Sequence, residues 1–207
     1  MRKKAIIFDL DNTLYPVQSI GEELFAELFA LIEADGEHKE QIEQIKKDIL
    51  RKPFQTVAAQ YFFSEQLTHA AIAHLQNLTY TSKISLFEDY SYIKNLMVDK
   101  YLVTSGFLKL QQSKILNLGI RNEFKEIHII DRTTTAKTKK DVFAEIMFRN
   151  KLNAEHFLVI GDDIDSEIKA ARELGIDAIL YEHNAETTEN VIGNYKHLSV
   201  FLENLNL

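Results

Sequence analysis

The chain contains no cysteine among its 207 residues. Disulfides, thiolate metal centres and cysteine nucleophiles are therefore excluded, and a reducing, cytoplasmic location is the expectation. Proline occurs twice and glycine seven times, too few for long disordered linkers. No apolar run approaches the roughly 18 residues of a membrane span. The basic Arg2-Lys3-Lys4 start leads into an apolar stretch that breaks at Asp9, too early for a signal peptide. Positive charge is also short, with 24 Lys and Arg against 31 Asp and Glu, a net charge of −7. A general nucleic-acid or anionic-membrane surface is disfavoured. A small anionic ligand at one locally positive site is not.

What is present is a rhythm of short apolar runs. Residues 5–8, 101–103, 127–130, 157–160 and 178–180 are nearly continuous in apolar side chains, the pattern of strands covered on both faces in a parallel sheet. Between them, residues 107–118, 141–148 and 164–174 show helical patterning, with Gly119 and Gly175 as stops. The alternation predicts an α/β fold: a parallel sheet with helices on both faces and right-handed crossovers. Residues 14 to about 95 break the rhythm and contain no convincing strand. Leu24, Phe25, Leu28, Leu31 and Ile32 mark one helix over residues 21–34, and Ile42, Ile45 and Ile49 a second that stops before Pro53. Ser64 can cap a third, running to Leu78. The expectation is an inserted all-helical cap over residues 16–95, with its own small core, and an α/β core of residues 1–15 and 96–207.

Ligands of open α/β sheets bind beyond the carboxyl ends of the strands, and polar residues stand there repeatedly. "AIIFDLDNT" ends in Asp9 and Asp11, "YLVTSG" in Thr104, Ser105 and Gly106, and "FLVIGDDIDSEI" in Asp162 and Asp163, with Glu167 beyond. "DRTTTAKTKKDVF" carries Lys137, Lys139 and Lys140. If Asp9, Asp11 and Asp162 converge, two carboxylates ~4 Å apart repel by about 4 kcal/mol at an effective dielectric near 20. Such a cluster needs a cation. Oxygen ligands without histidine or cysteine select a hard ion such as Mg2+. Acids, a magnesium ion, a lysine and a hydroxyl together suit phosphate chemistry. The seven histidines form no ligand set by spacing.

These four segments, taken in chain order, resemble the motifs of the haloacid dehalogenase superfamily, and the insert after the first motif resembles its helical-cap branch. The resemblance implies a Rossmann-like core. It also implies Asp9 as a nucleophile forming an aspartyl-phosphate, and Asp11 as the general acid and base whose main-chain carbonyl touches the metal. Thr104, with Ser105 and Gly106, would bind the phosphoryl group. Lys137 would bind phosphate and restrain Asp9, preferred over Lys139 and Lys140 because its distance to Phe143 matches the family's spacing. Asp9, Asp11 and Asp162 would hold Mg2+, with Asp163 and Glu167 around them. Tyr15, next to the first motif, is expected at the substrate entrance. Ser105, Thr138 and Glu167 stand where many relatives carry Asn, Pro and Asp.

The implied activity is a magnesium-dependent phosphatase acting on a small phosphorylated metabolite. The first motif's likeness to pyrimidine nucleotidase-like members adds a nucleoside monophosphate as one substrate class. A phosphomutase shares the core motifs. A phosphonate hydrolase would draw a lysine from the cap, where Lys39, Lys46, Lys47 and Lys52 stand. A non-catalytic phosphate-binding regulator is a further alternative, opposed by the complete set of acids. The sequence leaves the oligomeric state open.

Overall fold

The computed structural model describes residues 3–198. Six strands form one sheet in the order β3-β2-β1-β4-β5-β6. They are β1 Ala5–Phe8, β2 Asp99–Ser105, β3 Glu126–Ile130, β4 Phe157–Gly161, β5 Asp177–Tyr181 and β6 Val191–Ile192. Each neighbouring pair is parallel. The five expected strands are all present, and β6 is too short to carry a pattern. β1 is buried throughout, with Phe8 beside Leu102 of β2 and Ile160 of β4. The chain winds outward from β1 to β3, crosses back to β4 on the other side of β1, and winds outward again. The carboxyl end of β1 is therefore the switch point where such sheets hold their ligands.

Between β1 and β2 the chain is helical, as expected: α1 Gln18–Leu24, α2 Ala26–Asp35, α3 Ile42–Ile49, α4 Phe54–Gln60, α5 Glu65–Asn77 and the single turn α6 Ser91–Lys94. The Ser64 hydroxyl accepts the Leu67 N–H at 3.1 Å and starts α5. Two details differ. The first expected helix is split at Phe25, where φ is −104°, and α4 follows Pro53 directly, where a proline N-cap both stops one helix and admits the next.

Alternation along β1 divides the interior. Ala5 and Ile7 pack with Val142, Phe143 and Ile146 of α8 (Lys139–Asn150) and Ala170 and Ala171 of α9 (Lys169–Glu173). Ile6 and Phe8 face the other way, into a cluster with Leu110, Ile115 and Leu118 of α7 (Leu108–Leu118). That cluster also contains Leu28, Ile32, Ile45, Val57 and Leu75. The apolar side chains of the helical segment, expected to form a small core of their own, are continuous with those of one sheet face.

Asp131, just beyond β3, ties this end of the sheet together. One carboxylate oxygen accepts the Leu108 N–H that opens α7, at 2.9 Å, and the other accepts the N–H and hydroxyl of Thr133 at 2.9 and 2.6 Å. Burial raises its pKa, but the Thr133 and Leu108 hydrogen bonds outweigh this and hold the carboxyl below its ordinary value. A depressed acid stabilises the fold above its unfolded pKa of about 3.9 and loses that contribution as pH falls through the folded value. Asp131→Asn should therefore cost about 1–2 kcal/mol near neutrality. The gap to the parent should narrow below about pH 4. Urea titrations at both pH values check this, and a gap independent of pH would refute the account.

Candidate active site

Asp9 extends β1 by one residue, its N–H bonded to Ile160 O at 3.0 Å. It is buried, on a strand whose neighbours bring Thr104 and Asp162 to the same end of the sheet. Thr104 is buried, and Thr104, Ser105 and Gly106 line one cleft with Asp9, Asp11 and Asp162. The structure thus brings together the acids and hydroxyl of three of the four segments.

The fourth segment supplies a different lysine. Lys137 points to the surface, 52% exposed, where its Nζ pairs with Glu145 at 2.6 Å. Lys140 is also surface-facing and pairs with Glu173 at 2.9 Å. The lysine that enters the site is Lys139, 8% exposed, with Nζ 2.6 Å from Asp9 Oδ1 and 2.6 Å from Glu167 Oε2. The reason is local. Thr138 and Asp141 form a capping box, which starts α8 at Lys139 and leaves Lys137 in the preceding loop. The Thr-x-x-Asp spacing was the available signal for that start, and family spacing to Phe143 pointed past it.

Glu167 reaches Lys139 because the chain after β4 forms a π-helical turn, Ile164–Ile168, before α9, a rarity often found at functional sites. Glu167 is buried, and its other oxygen accepts the Asp163 N–H at 2.7 Å. A Cβ at residue 161 would lie 2.2 Å from Glu167 Cγ, so glycine at the end of β4 makes room for this side chain. Asp163 turns to cap the π turn through the Asp165 N–H at 2.8 Å.

Charge in this pocket is not balanced by the protein alone. Carboxylate oxygens of Asp9, Asp162 and Glu167 lie within 4.8 Å of one another, with one lysine among them. Burial raises the Asp9 pKa; Lys139 opposes this, and the Glu167 and Asp162 charges add to it. Burial and the Glu167 charge push Asp162 up to about 7. The donor set is entirely hard oxygen, and the excess negative charge suits a divalent cation of the magnesium type. Asp9 and Glu167 share Lys139 and Glu167 also receives the Asp163 N–H, which leaves Asp9 and Asp162 with more acceptor positions free for a metal.

Asp11 lies apart from that cluster. Its Oδ1 accepts the Tyr15 hydroxyl and Lys114 Nζ, the latter at 2.9 Å, and its Oδ2 accepts Gln111 Nε2 at 2.8 Å. Burial works against its charge, but Lys114 and the Tyr15, Lys114 and Gln111 hydrogen bonds hold the carboxyl below its ordinary value. Three protein donors occupy the Asp11 carboxylate, and the part expected of Asp11 in the metal site is that of its main-chain carbonyl. Tyr15 is fully buried behind Asp11, not at the entrance.

Gln111 and Lys114 were missed in the sequence because apolar counting on α7 included Leu108 and Leu116, which are 43% and 75% exposed. The inward face runs through Phe107, Leu110, Gln111, Lys114, Ile115 and Leu118, all buried. Two polar residues interleaved in a buried stripe at helical spacing was the usable signal. Gly106, at φ +152°, lets Gln111 pass: a Cβ there would meet Gln111 Cδ at 3.1 Å.

The cleft has a volume of about 150 Å3, and its far wall belongs to the helical segment, including Phe25, Leu28 and the turn from Leu50 to Phe54. Asn12 reaches that turn through Leu50 O, at 3.5 Å. The 24–32 stripe is thus mainly buried packing, with two of its residues also on the cleft.

Residues 3–175 match the haloacid dehalogenase-like hydrolase family. A glyceraldehyde 3-phosphate phosphatase of Methanopyrus kandleri is 26% identical over 194 residues, 84% of this chain and 81% of that protein. A ribulose-1,5-bisphosphate 5-phosphatase of Halopiger xanaduensis is 22% identical over 206 residues, covering 88% and 86%. Among solved structures, a putative phosphatase from Clostridium difficile superposes with a TM-score of 0.72 at 18% identity, covering 98% of this chain and 99% of that one. The magnesium-bound putative hydrolase YfnB of Bacillus subtilis does so with a TM-score of 0.65 at 22% identity, covering 98% and 99%. A match running from before β1 to the end of α9 takes in every residue of the site, and the chain belongs to the haloacid dehalogenase-like hydrolases.

Proposed function

We propose that the protein is a magnesium-dependent phosphatase of small phosphorylated metabolites, working through an aspartyl-phosphate on Asp9. The observation that carries this reading is the separation of two acids only two residues apart. Asp9 sits with Lys139 in the acidic pocket, while Asp11 is held by three different donors. This separation supports a reading in which one aspartate attacks and the other moves a proton.

In the first step an Asp9 oxygen bonds to phosphorus as the phosphorus–ester oxygen bond breaks, and the leaving oxygen takes a proton from Asp11. In the second, Asp11 takes a proton from water, whose oxygen bonds to phosphorus and releases phosphate, restoring Asp9. Lys139 offsets charge on Asp9 and the phosphoryl oxygens, and Thr104 is available to hydrogen-bond the latter. A divalent ion held by Asp9 and Asp162, with the Asp11 main-chain carbonyl, would neutralise phosphoryl charge. The helical segment acts as the cap that covers the cleft and selects the substrate.

The names of the two phosphatase relatives favour a short sugar phosphate over a nucleoside monophosphate. The phosphonate-hydrolase alternative finds little support: of the four candidate lysines only Lys52 lines the cleft, and Asp48 and Gln60 hold it at 3.1 and 3.0 Å.

The protein should hydrolyse para-nitrophenyl phosphate with magnesium and stop when EDTA is added. Absence of turnover across about pH 5 to 9 would overturn the enzyme reading, and turnover persisting in EDTA would overturn the metal dependence.

A further inference from the structure

The three donors around Asp11 are not equivalent, and their arrangement distinguishes its two oxygens. A carboxylate offers about four acceptor positions. Oδ1 receives both the Tyr15 hydroxyl and Lys114 Nζ, whereas Oδ2 receives only Gln111 Nε2. The same Gln111 nitrogen lies 2.7 Å from Thr104 Oγ1, so one buried amide spans Asp11 and the hydroxyl available to the phosphoryl group. Lys114 is buried and its Nζ lies 5.9 Å from the Tyr15 ring centre, packing the two Oδ1 donors against each other.

We propose that Lys114, Tyr15 and Gln111 are positioning residues that clamp Asp11 so that Oδ2 carries the transferred proton. Oδ1 is saturated; Oδ2 keeps one open lone pair and is registered to Thr104. The inference rests on the reading of Asp11 as the acid and base above. A general acid must stand about 2.6–3.2 Å from the oxygen it protonates. Donors on both oxygens remove the side-chain rotations that would lose this. Stability alone is a weak explanation, because replacing a buried ion pair by apolar groups is often neutral or stabilising.

The test uses leaving groups that differ in their need for a proton. Phosphoryl transfer to Asp9 is read as kcat/KM for 2,4-dinitrophenyl phosphate, whose leaving group departs unprotonated, and for glycerol 2-phosphate, whose alkoxide does not. Lys114→Met should lower kcat/KM on glycerol 2-phosphate by about 10²-fold, the scale of general acid catalysis, misplacement of the acid outweighing the easier protonation of Asp11 without the Lys114 charge. On the dinitrophenyl ester it should change by less than about threefold. Tyr15→Phe, which removes one oxygen atom, should give the same selectivity at smaller amplitude, and it guards against a Lys114 variant that does not fold. Asp11→Asn sets the reference, and Lys114→Met added to it should cost nothing further.

Parallel losses on both esters, or no loss on either, in both positioning variants would overturn the proposal while a leaving-group-selective Asp11→Asn left the parent reading intact. An unselective Asp11→Asn, or a wild-type protein inactive on both esters, would instead sink the acid role of Asp11 and the clamp with it.

Discussion

Asp9→Asn should abolish turnover, by at least about 10⁴-fold, while the metal-free protein melts no lower than the parent. The first half follows from the loss of the carboxylate proposed to attack phosphorus. The second follows from charge. In the parent, Asp9 and Glu167 share Lys139 with Asp162 close by. An acid whose folded pKa is raised, as that of Asp9 is by burial, stabilises the fold only below its unfolded pKa and loses that contribution as pH rises through the folded value. At neutral pH Asp9 therefore opposes folding relative to a neutral isostere. Asparagine keeps an acceptor for Lys139 and leaves Glu167 as its single charged partner. Scanning calorimetry in EDTA, beside steady-state assays, reads both effects. Retained turnover would remove Asp9 as nucleophile, and a melting point several degrees lower would refute the charge argument. Such a gain in stability on losing function is common where active sites hold strained charge.

Lysine substitutions should separate two neighbours sharply. Lys139→Met should lower kcat/KM by at least about 10³-fold, the upper range for losing one preorganised electrostatic donor. It should also destabilise the fold, because breaking a buried pair by removing one partner costs about 3–5 kcal/mol, eased to the extent that Asp9 or Glu167 takes up a proton. Lys137→Met should leave turnover within about twofold and stability within about 1 kcal/mol, since its partner Glu145 is a surface contact. Kinetics and urea unfolding of the two variants side by side decide this. The reverse ranking would return the phosphate-binding role to Lys137.

That contrast shows where sequence reasoning reaches and where it stops. The strands were legible because burial on both faces leaves continuous apolar runs, and the acids were legible because they stand at the ends of those runs. Asp9, Asp162 and Thr104 converge for the same reason: parallel neighbours in one sheet bring their carboxyl ends together. Lys139 was open to misreading because its placement depends on where α8 starts, a matter of one capping box. Gln111 and Lys114 were hidden by a different cause. Helix faces were judged by apolar content, while α7 points two leucines outward and two polar groups inward. Glu167 was read at the right position, but the π turn that aims it leaves no mark in periodicity.

The shared apolar cluster between sheet and helical segment has a consequence for how this protein can change. Leu28 lines the cleft and also belongs to the cluster containing Ile6, Phe8 and Leu102. A side chain on the cleft wall thus belongs to the same continuous apolar cluster as those that hold the central strand. Lineages exploring new substrates through this wall would draw on the same reserve that keeps the sheet folded. The more permissive route runs through the polar turn at Arg51 and Lys52, which borders the cleft without entering the core.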